Sequence, residues 1–379
     1  MFTLKKTDRQ SKARRGVLQT AHGTIQTPFF MPVGTNGTVK SMTVEGLHEI
    51  GAQIMLANTY HLYLRPGMDV MAKAGGLHGF AGWNKPMLTD SGGYQVFSLT
   101  KLRKLKEDGV EFRSHLDGSK HFFTPEKVLD IEKTIGADMI MPLDVCAPYP
   151  CSYKEAEESV ELTTQWAKRS RAYFLDQKMD EQQKLFGIIQ GAVYEDLRLR
   201  SAKEILDIGF DGYAIGGVSV GEPVEKMFET LDWVIPLLPE NQPRYFMGIG
   251  LPDQIVKAVG EGIDMFDTVL PTRFGRHATA FTRKGRIILK NAEFISDFRP
   301  IDEQCPCKVC QQHTRSYIRH LASQGEITAF VLITYHNLFF YVTLMKEMRT
   351  AIEQDRFAEF EHNFLKEYKS ELFQPSTPQ

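Results

Sequence analysis

The sequence predicts an α/β protein, a parallel (β/α)8 TIM barrel with a small metal-binding subdomain near its C-terminus. Eight short apolar runs, each ending in glycine, proline or a polar residue, recur along the chain. Segments of helical spacing separate most of them, and a cluster of three cysteines follows the last. Near-continuous apolar strand cores alternating with helices indicate a parallel sheet buried on both faces rather than an antiparallel sandwich. An open doubly wound sheet is the alternative arrangement of the same elements.

The runs in order are "PFFMPVGT" from Pro28, "AQIMLANTY" ending near Asn58, "PMLTD" closing on Asp90, and "ADMIMPLDVC" with Asp144 and Cys146. "LFGIIQG" with Gln190, "GYAIGGVSVGE" with Gly216 and Gly217, "RYFMGIG" with Met247 and "DMFDTVLPTR" with Asp267 complete the set. "TPEKVLDIEKTIG", "EDLRLRSAKEILDIG", "EPVEKMFETLDWVIPLL" and "LPDQIVKAVGEGI" place good helix formers at helical spacing between them. Ser91-Gly92-Gly93 reads as the tight turn that ends the third strand. Taken alone, Asp90 reads as a helix cap. In a barrel, the polar residues at the strand ends converge on one mouth, where the active sites of this fold lie. Asp90, Asp144, Gln190 and Asp267 are therefore expected to share a pocket.

The 379 residues suit one barrel plus an appendage, read as a single catalytic domain over 1–379 with the subdomain over 285–340. Hydrophobic residues at 42% and charged residues at 24% are ordinary globular values. A formal charge of -2 excludes a uniformly basic nucleic-acid binder but allows a local basic patch. The opening "MFTLKKTDRQSKARRG" lacks the apolar core of a signal peptide, so a cytoplasmic location is expected. "ITAFVLITYHNLFFYVTL", 327–344, is long enough to cross a membrane, but Thr334, His336 and Asn337 at its centre would be costly in lipid. A buried helix is expected there.

Five cysteines in a chain of this length do not form a disulfide scaffold. Cys305, Cys307 and Cys310 crowd into six residues, a spacing suited to wrapping thiolates around one tetrahedral zinc. The fourth ligand is not local; His313, His320 and His336 all follow, and spacing does not choose among them. Three thiolates plus one imidazole close the coordination shell and leave no position for an activated water, so the zinc is expected to be structural.

"TDSGGYQVF", "FGIIQG", "GGVSVGEP", "FDTVLPTR" and "CPCKVC" followed by "HNL" stand in this order. The chain thereby closely resembles the bacterial type of tRNA-guanine transglycosylase, from Phe2 to Tyr368. The resemblance implies His336 as the fourth zinc ligand. It also implies a pentosyltransferase reaction of queuosine modification. The guanine at the wobble position of tRNAs with GUN anticodons (Asp, Asn, His, Tyr) is exchanged for a 7-deazaguanine, in bacteria usually 7-aminomethyl-7-deazaguanine (preQ1).

Asp267 matches the family's nucleophile, which captures the ribose carbon as in retaining glycosidases. Asp90 matches the carboxyl group that moves protons to and from the bases. By resemblance, Asp144 and Gln190 bind the purine edge, while Ser91, Cys146 and backbone groups around Gly217 and Val218 complete the base pocket. Tyr94 and Met247 match the residues that sandwich the ring, and Glu222 the glutamate that helps the pocket switch between bases. Arg273 and Arg276 look like the contacts to the RNA flanking the target, with "TRKGRIILK" reaching the phosphates. Members are usually homodimers.

The pattern departs from the bacterial family near the base pocket. Val145 stands where most bacterial members have Glu, and Val218-Ser219 where they have Leu-Ala. The "PLD" before Val145, like Ser219, resembles eukaryotic members, which insert queuine; Cys146 and Val220 resemble bacterial ones. The expected incoming base is preQ1, with queuine as the alternative. Ala278 stands where the family has a glycine, which restricts that turn's backbone. The competing functions are a zinc-dependent hydrolase, which would need histidine clusters at the strand ends, and a catalytically silent tRNA-binding paralogue.

Overall fold

The computed structural model describes residues 1–99 and 103–368. The eight predicted runs become β1 (Phe29–Pro32), β2 (Met55–Asn58), β3 (Met87–Asp90), β4 (Met139–Ile140), β5 (Lys184–Ile189), β6 (Gly212–Ile215), β7 (Arg244–Phe246) and β8 (Met265–Thr268). Their hydrogen-bonded order is β1-β8-β7-β6-β5-β4-β3-β2, and every pair is parallel. A parallel bridge from Val33 to Leu56, just beyond β1, joins it to β2, with the Gly34 N–H donating to Leu56 O at 2.6 Å. An open doubly wound sheet would leave these two strands as free edges, so the contact decides for the barrel.

Alternation along β5 shows how the strands face two cores. Phe186 and Ile188 point into the barrel with Phe29, Met31, Leu88 and Met265, whereas Leu185 and Ile189 pack outward against the helices. β4 is only two residues long because Pro142 has no N–H with which to continue the ladder. Asp144 and Cys146 therefore sit beyond the strand, on irregular backbone. The predicted helices are present, and "TPEKVLDIEKTIG" shows why. Thr124 caps Pro125–Ile135 by accepting the Lys127 N–H, Pro125 opens the first turn, and Gly136 ends it in the left-handed conformation.

An antiparallel sheet of Phe2–Thr7, Arg14–Thr20 and Gly23–Thr27 precedes the barrel, and its Arg14 pairs with Asp264 at the start of β8. The apolar C-terminal run lies in a 27-residue helix, Ile327–Glu353, long and apolar enough to cross a membrane. Its polar centre is nevertheless engaged within the protein. Asn337 accepts the Phe281 N–H at 3.0 Å and donates to Pro271 O and Thr279 O, both at 3.0 Å. The helix is thus a buried one, as its composition predicts, and it runs on past residue 340 to Glu353.

Candidate active site

At the C-terminal ends of the strands a cavity of about 430 Å³ brings together Asp90, Ser91, Tyr94, Asp144, Cys146, Gln190, Gly217, Val218, Met247 and Asp267. Ten of the residues singled out in the sequence thus line one space, as convergence at a barrel mouth requires. Glu222 lies outside the lining. Its carboxylate accepts the backbone N–H groups of Ser219 and, at 3.0 Å, Val220, and so shapes the loop that does line the cavity. Tyr94 is half-exposed at the mouth, while Met247 is partly buried in the wall.

Three carboxylates in this space have neutral partners. Asp90 accepts from Asn58 Nδ2, from the N–H groups of Thr59 and Gly92 at 3.1 Å each, and from Gln95 Nε2 at 2.9 Å. Burial still pushes its pKa up to about 6, the hydrogen bonds opposing only part of the rise. Asp144 accepts Gln190 Nε2 at 2.8 Å and Ser91 Oγ at 3.3 Å, and burial raises it likewise to about 6. Asp267 accepts the Tyr245 hydroxyl at 2.6 Å and the Gly248 N–H at 2.9 Å; burial raises its pKa as well. Carboxylates stabilised by neutral donors keep their charge available for a reacting partner.

The remaining wall is tight. A Cβ on Gly217 would lie 2.1 Å from Gln190 Oε1, and one on Gly93 would lie 3.0 Å from Asp144 Oδ1. Gln190 Oε1 is itself buried with no donor among the described residues. Cys146 is a poor nucleophile, because burial pushes its thiol pKa up to about 12. Val220 lines the cavity, whereas Val145 is buried in the core between barrel and helices. Val145 therefore does not touch this cavity directly.

Beyond β8, the short helix Leu270–Gly275 carries Arg273, exposed, and is followed by Arg276, partly buried with one guanidinium nitrogen lacking a protein partner among the described residues. Ala278 adopts φ 56°, the left-handed conformation that glycine takes without strain.

Cys305, Cys307, Cys310 and His336 gather at one point, whereas His313 stacks on Tyr317 and His320 stays outside the cluster. The three Sγ atoms lie 3.8, 3.5 and 3.3 Å from His336 Nδ1. A metal about 2.3 Å from sulfur and about 2.0 Å from nitrogen in a tetrahedral shell separates those donors by roughly 3.6 Å. His336 Nε2 donates to Phe281 O at 2.7 Å, which leaves Nδ1 free of its proton and aimed at the thiolates. The residues therefore fit a four-coordinate metal, and none of the four lines the cavity at the mouth.

The comparison with known proteins decides the family. Residues 8–370 match the family model described as queuine tRNA-ribosyltransferase. The chain belongs to this family. It is 54% identical over 367 residues to the queuine tRNA-ribosyltransferase of Thermoanaerobacter sp. (strain X514), covering 97% of both chains. The enzyme of the same name from Halothermothrix orenii is also 54% identical over 367 residues, again covering 97% of each. That of Pelotomaculum thermopropionicum is 53% identical over 370 residues, covering 98% of this chain and 99% of its own.

Six residues that hold Asp90 and Asp267 carry no such role in the sequence reading. Asn58, Thr59, Gly92 and Gln95 bind Asp90, and Tyr245 and Gly248 bind Asp267. Asn58 ends β2 just as Asp90 ends β3, so the strand-end rule applied to every strand would have found it. Tyr245 lies inside β7 in an apolar run and reads as core; nothing local marks its hydroxyl.

Proposed function

We propose that this chain exchanges the wobble guanine of GUN-anticodon tRNAs for preQ1 through a covalent bond between Asp267 and the ribose. The observation that carries this reading is the placement of Asp90, Asp144, Gln190 and Asp267 around one cavity with neutral donors only. Asp267, its anion held by Tyr245 and Gly248, attacks C1′ from the face opposite the base, and the C1′–N9 bond breaks. Asp90, poised near neutrality, supplies the proton that guanine takes up and removes one from the incoming base. Asp144, oriented by Gln190 and Ser91, accepts from the purine's N1–H and amino groups. Arg273 and Arg276 hold the RNA flanking the target. Val220, a branched side chain on the wall, supports the smaller preQ1 over queuine.

Three thiolates with one imidazole suit zinc, which would hold the segment after β8 against the long helix and take no part in the reaction. Metal analysis of the purified protein should find one zinc per chain, and chelation should lower its thermal stability. A homodimer in the cytoplasm, where tRNA is available, completes the reading; light scattering and fractionation check both. The closed four-ligand set, remote from the mouth, disfavours a zinc hydrolase, and retention of Asp90 and Asp267 disfavours a silent paralogue.

The test is exchange into unmodified tRNA, offering preQ1 and queuine separately and analysing nucleosides by mass spectrometry. Incorporation of preQ1 alone is expected. Queuine incorporation would reassign the base, and no exchange even of labelled guanine would overturn the reaction.

A further inference from the structure

Gly217 and Val218 line the cavity, and neither backbone N–H donates to any group among the described residues. Two unpaired donors on a cavity wall call for an acceptor on the ligand. Behind them lies Arg198, fully buried in the first turn of the helix Glu195–Ile208. Its Nε donates to Ala192 O at 2.8 Å, Nη1 to Ile189 O at 3.0 Å and Gly216 O at 2.7 Å, and Nη2 to Gly217 O at 3.1 Å. All four acceptors are carbonyls beyond or at the ends of β5 and β6, and no carboxylate among the described residues is bonded to the guanidinium. Burial lowers its pKa to about 10, which still leaves it charged at neutral pH.

A buried cation whose hydrogen bonds all go to carbonyls, with Glu222 acting on it only at a distance, is costly to keep, and packing alone would be served by an apolar side chain. The carbonyls it holds explain its presence. A trans peptide sets C=O and N–H in opposite directions. Holding Gly216 O and Gly217 O on the guanidinium therefore turns the N–H groups of Gly217 and Val218 the other way, into the cavity. Gly217 at φ 63° has no side chain to intervene.

We propose that Arg198 is a positioning residue that orients and polarises these two N–H groups toward the carbonyl oxygen of the purine. The inference rests on the guanine reading of the cavity. When C1′–N9 breaks, its electron pair enters the purine and spreads onto O6, while Asp267 forms the new bond to C1′ and Asp90 supplies the proton. The donor pair, backed by a fixed positive charge, then acts as an oxyanion hole for the departing base.

The test compares free guanine with 2-aminopurine, which keeps the 2-amino group but lacks O6 and with it the N1–H that Asp144 accepts, by equilibrium dialysis on the full-length protein and on Arg198→Met and Arg198→Lys. The variants' effect on each base, not the wild-type preference alone, then reports on O6. Wild type should prefer guanine by about a hundredfold. Arg198→Met should lose roughly tenfold or more in guanine affinity with 2-aminopurine unchanged, and kcat for guanine exchange should fall about 10²-fold or more. Arg198→Lys, which keeps the charge but reaches fewer carbonyls, should lie between; it carries the same comparison if the methionine variant does not fold. Equal losses for both bases, or loss for neither, would overturn the positioning role. Wild type that exchanges guanine without preferring the oxygen base would overturn this inference alone, whereas wild type that exchanges no guanine would overturn the guanine reading itself.

Discussion

Asp264 and Asp267 stand three residues apart at the two ends of β8, and the barrel treats them in opposite ways. Asp264, at the bottom, takes the Arg14 guanidinium in a fully buried fork, Nε at 3.1 Å with Nη2 on the other oxygen, plus the Arg244 N–H at 2.8 Å. Asp267, at the mouth, takes a phenol and an amide and no cation among the described residues. The contrast repeats next door. Asp138, just before β4, lies between the His22 and His78 imidazoles and takes the His22 and Met87 backbone N–H groups, while Asp90 and Asp144 above it have amide, hydroxyl and backbone donors. A carboxylate met by a cation has its charge committed to the fold; one met by neutral donors can still attack carbon or accept a proton.

The two ends consequently carry opposite pH signatures. For Asp138 burial pushes upward, but the hydrogen bonds from His78, the Met87 N–H and His22 outweigh it and hold the carboxyl below the usual range. Its contribution to stability is complete above the unfolded pKa of about 3.9 and is lost as pH falls below it. Asp90 and Asp144, raised to about 6, do the reverse: their stabilising contribution is present below about 4 and lost as pH rises through about 6. The mouth thus gives up stability at the pH where its carboxylates are ionised.

The sharpest way to break the comparison is to change Asp267. Asp267→Asn keeps the shape and removes the nucleophile. Labelled-guanine exchange should fall by about 10⁴-fold or more, near 5.5 kcal/mol of barrier, with tRNA binding by gel shift within a few fold. Loss of binding as well would give Asp267 the structural role of its neighbour. At the other end, Arg14→Met should leave exchange per folded molecule unchanged while costing about 3–5 kcal/mol in urea unfolding, because Asp264 is left buried without its cation.

The middle of the range lies in the pH profile. With guanine as the incoming base, kcat/KM should drop about tenfold or more per unit below pH 6, as Asp144 loses the charge that holds the purine edge and Asp90 loses the form that takes the incoming base's proton. Tyr245→Phe removes the donor that offsets the burial of Asp267, so its pKa should climb further. The variant should be down about tenfold or more at pH 6 and recover toward wild type at pH 8.5. A uniform loss at both values would mean that Tyr245 only shapes the wall.

What was legible in the sequence follows the same division. Strand ends announce themselves, because an apolar run must stop where a polar side chain enters the mouth; Asp90, Asp144, Gln190 and Asp267 were all readable on that ground. The cysteine spacing announced the metal cluster, but not which histidine closes it, since that choice is made by the Phe281 carbonyl far along the chain. The partners of the carboxylates were not legible. Tyr245 sits mid-strand between Arg244 and Phe246 with nothing to mark its hydroxyl, and Arg198 looks like one more charge on an amphipathic helix until the ends of β5 and β6 fold over it. Long-range hydrogen bonds leave no local pattern, so the groups that tune a site are harder to read than those that act in it.

The smallest expected effect concerns the rim that carries Arg273 and Arg276. Ala278 holds φ 56° while its N–H donates to Gly275 O at 3.1 Å and its carbonyl accepts the Leu289 N–H at 2.8 Å. Left-handed backbone costs an L-residue about 1–2 kcal/mol. Ala278→Gly relieves that strain but gives up a buried methyl worth about 0.8 kcal/mol and frees the unfolded chain by a few tenths more. The terms nearly cancel, leaving a net change between about -0.2 and about +0.8 kcal/mol, seen as a shift in Tm of about 1 °C or less. The more telling measurement is KM for tRNA. The two hydrogen bonds remain in the glycine variant, so if they set the geometry two residues after Arg276, KM should stay within about twofold; a larger rise would mean that the strained alanine itself holds the arginines in register.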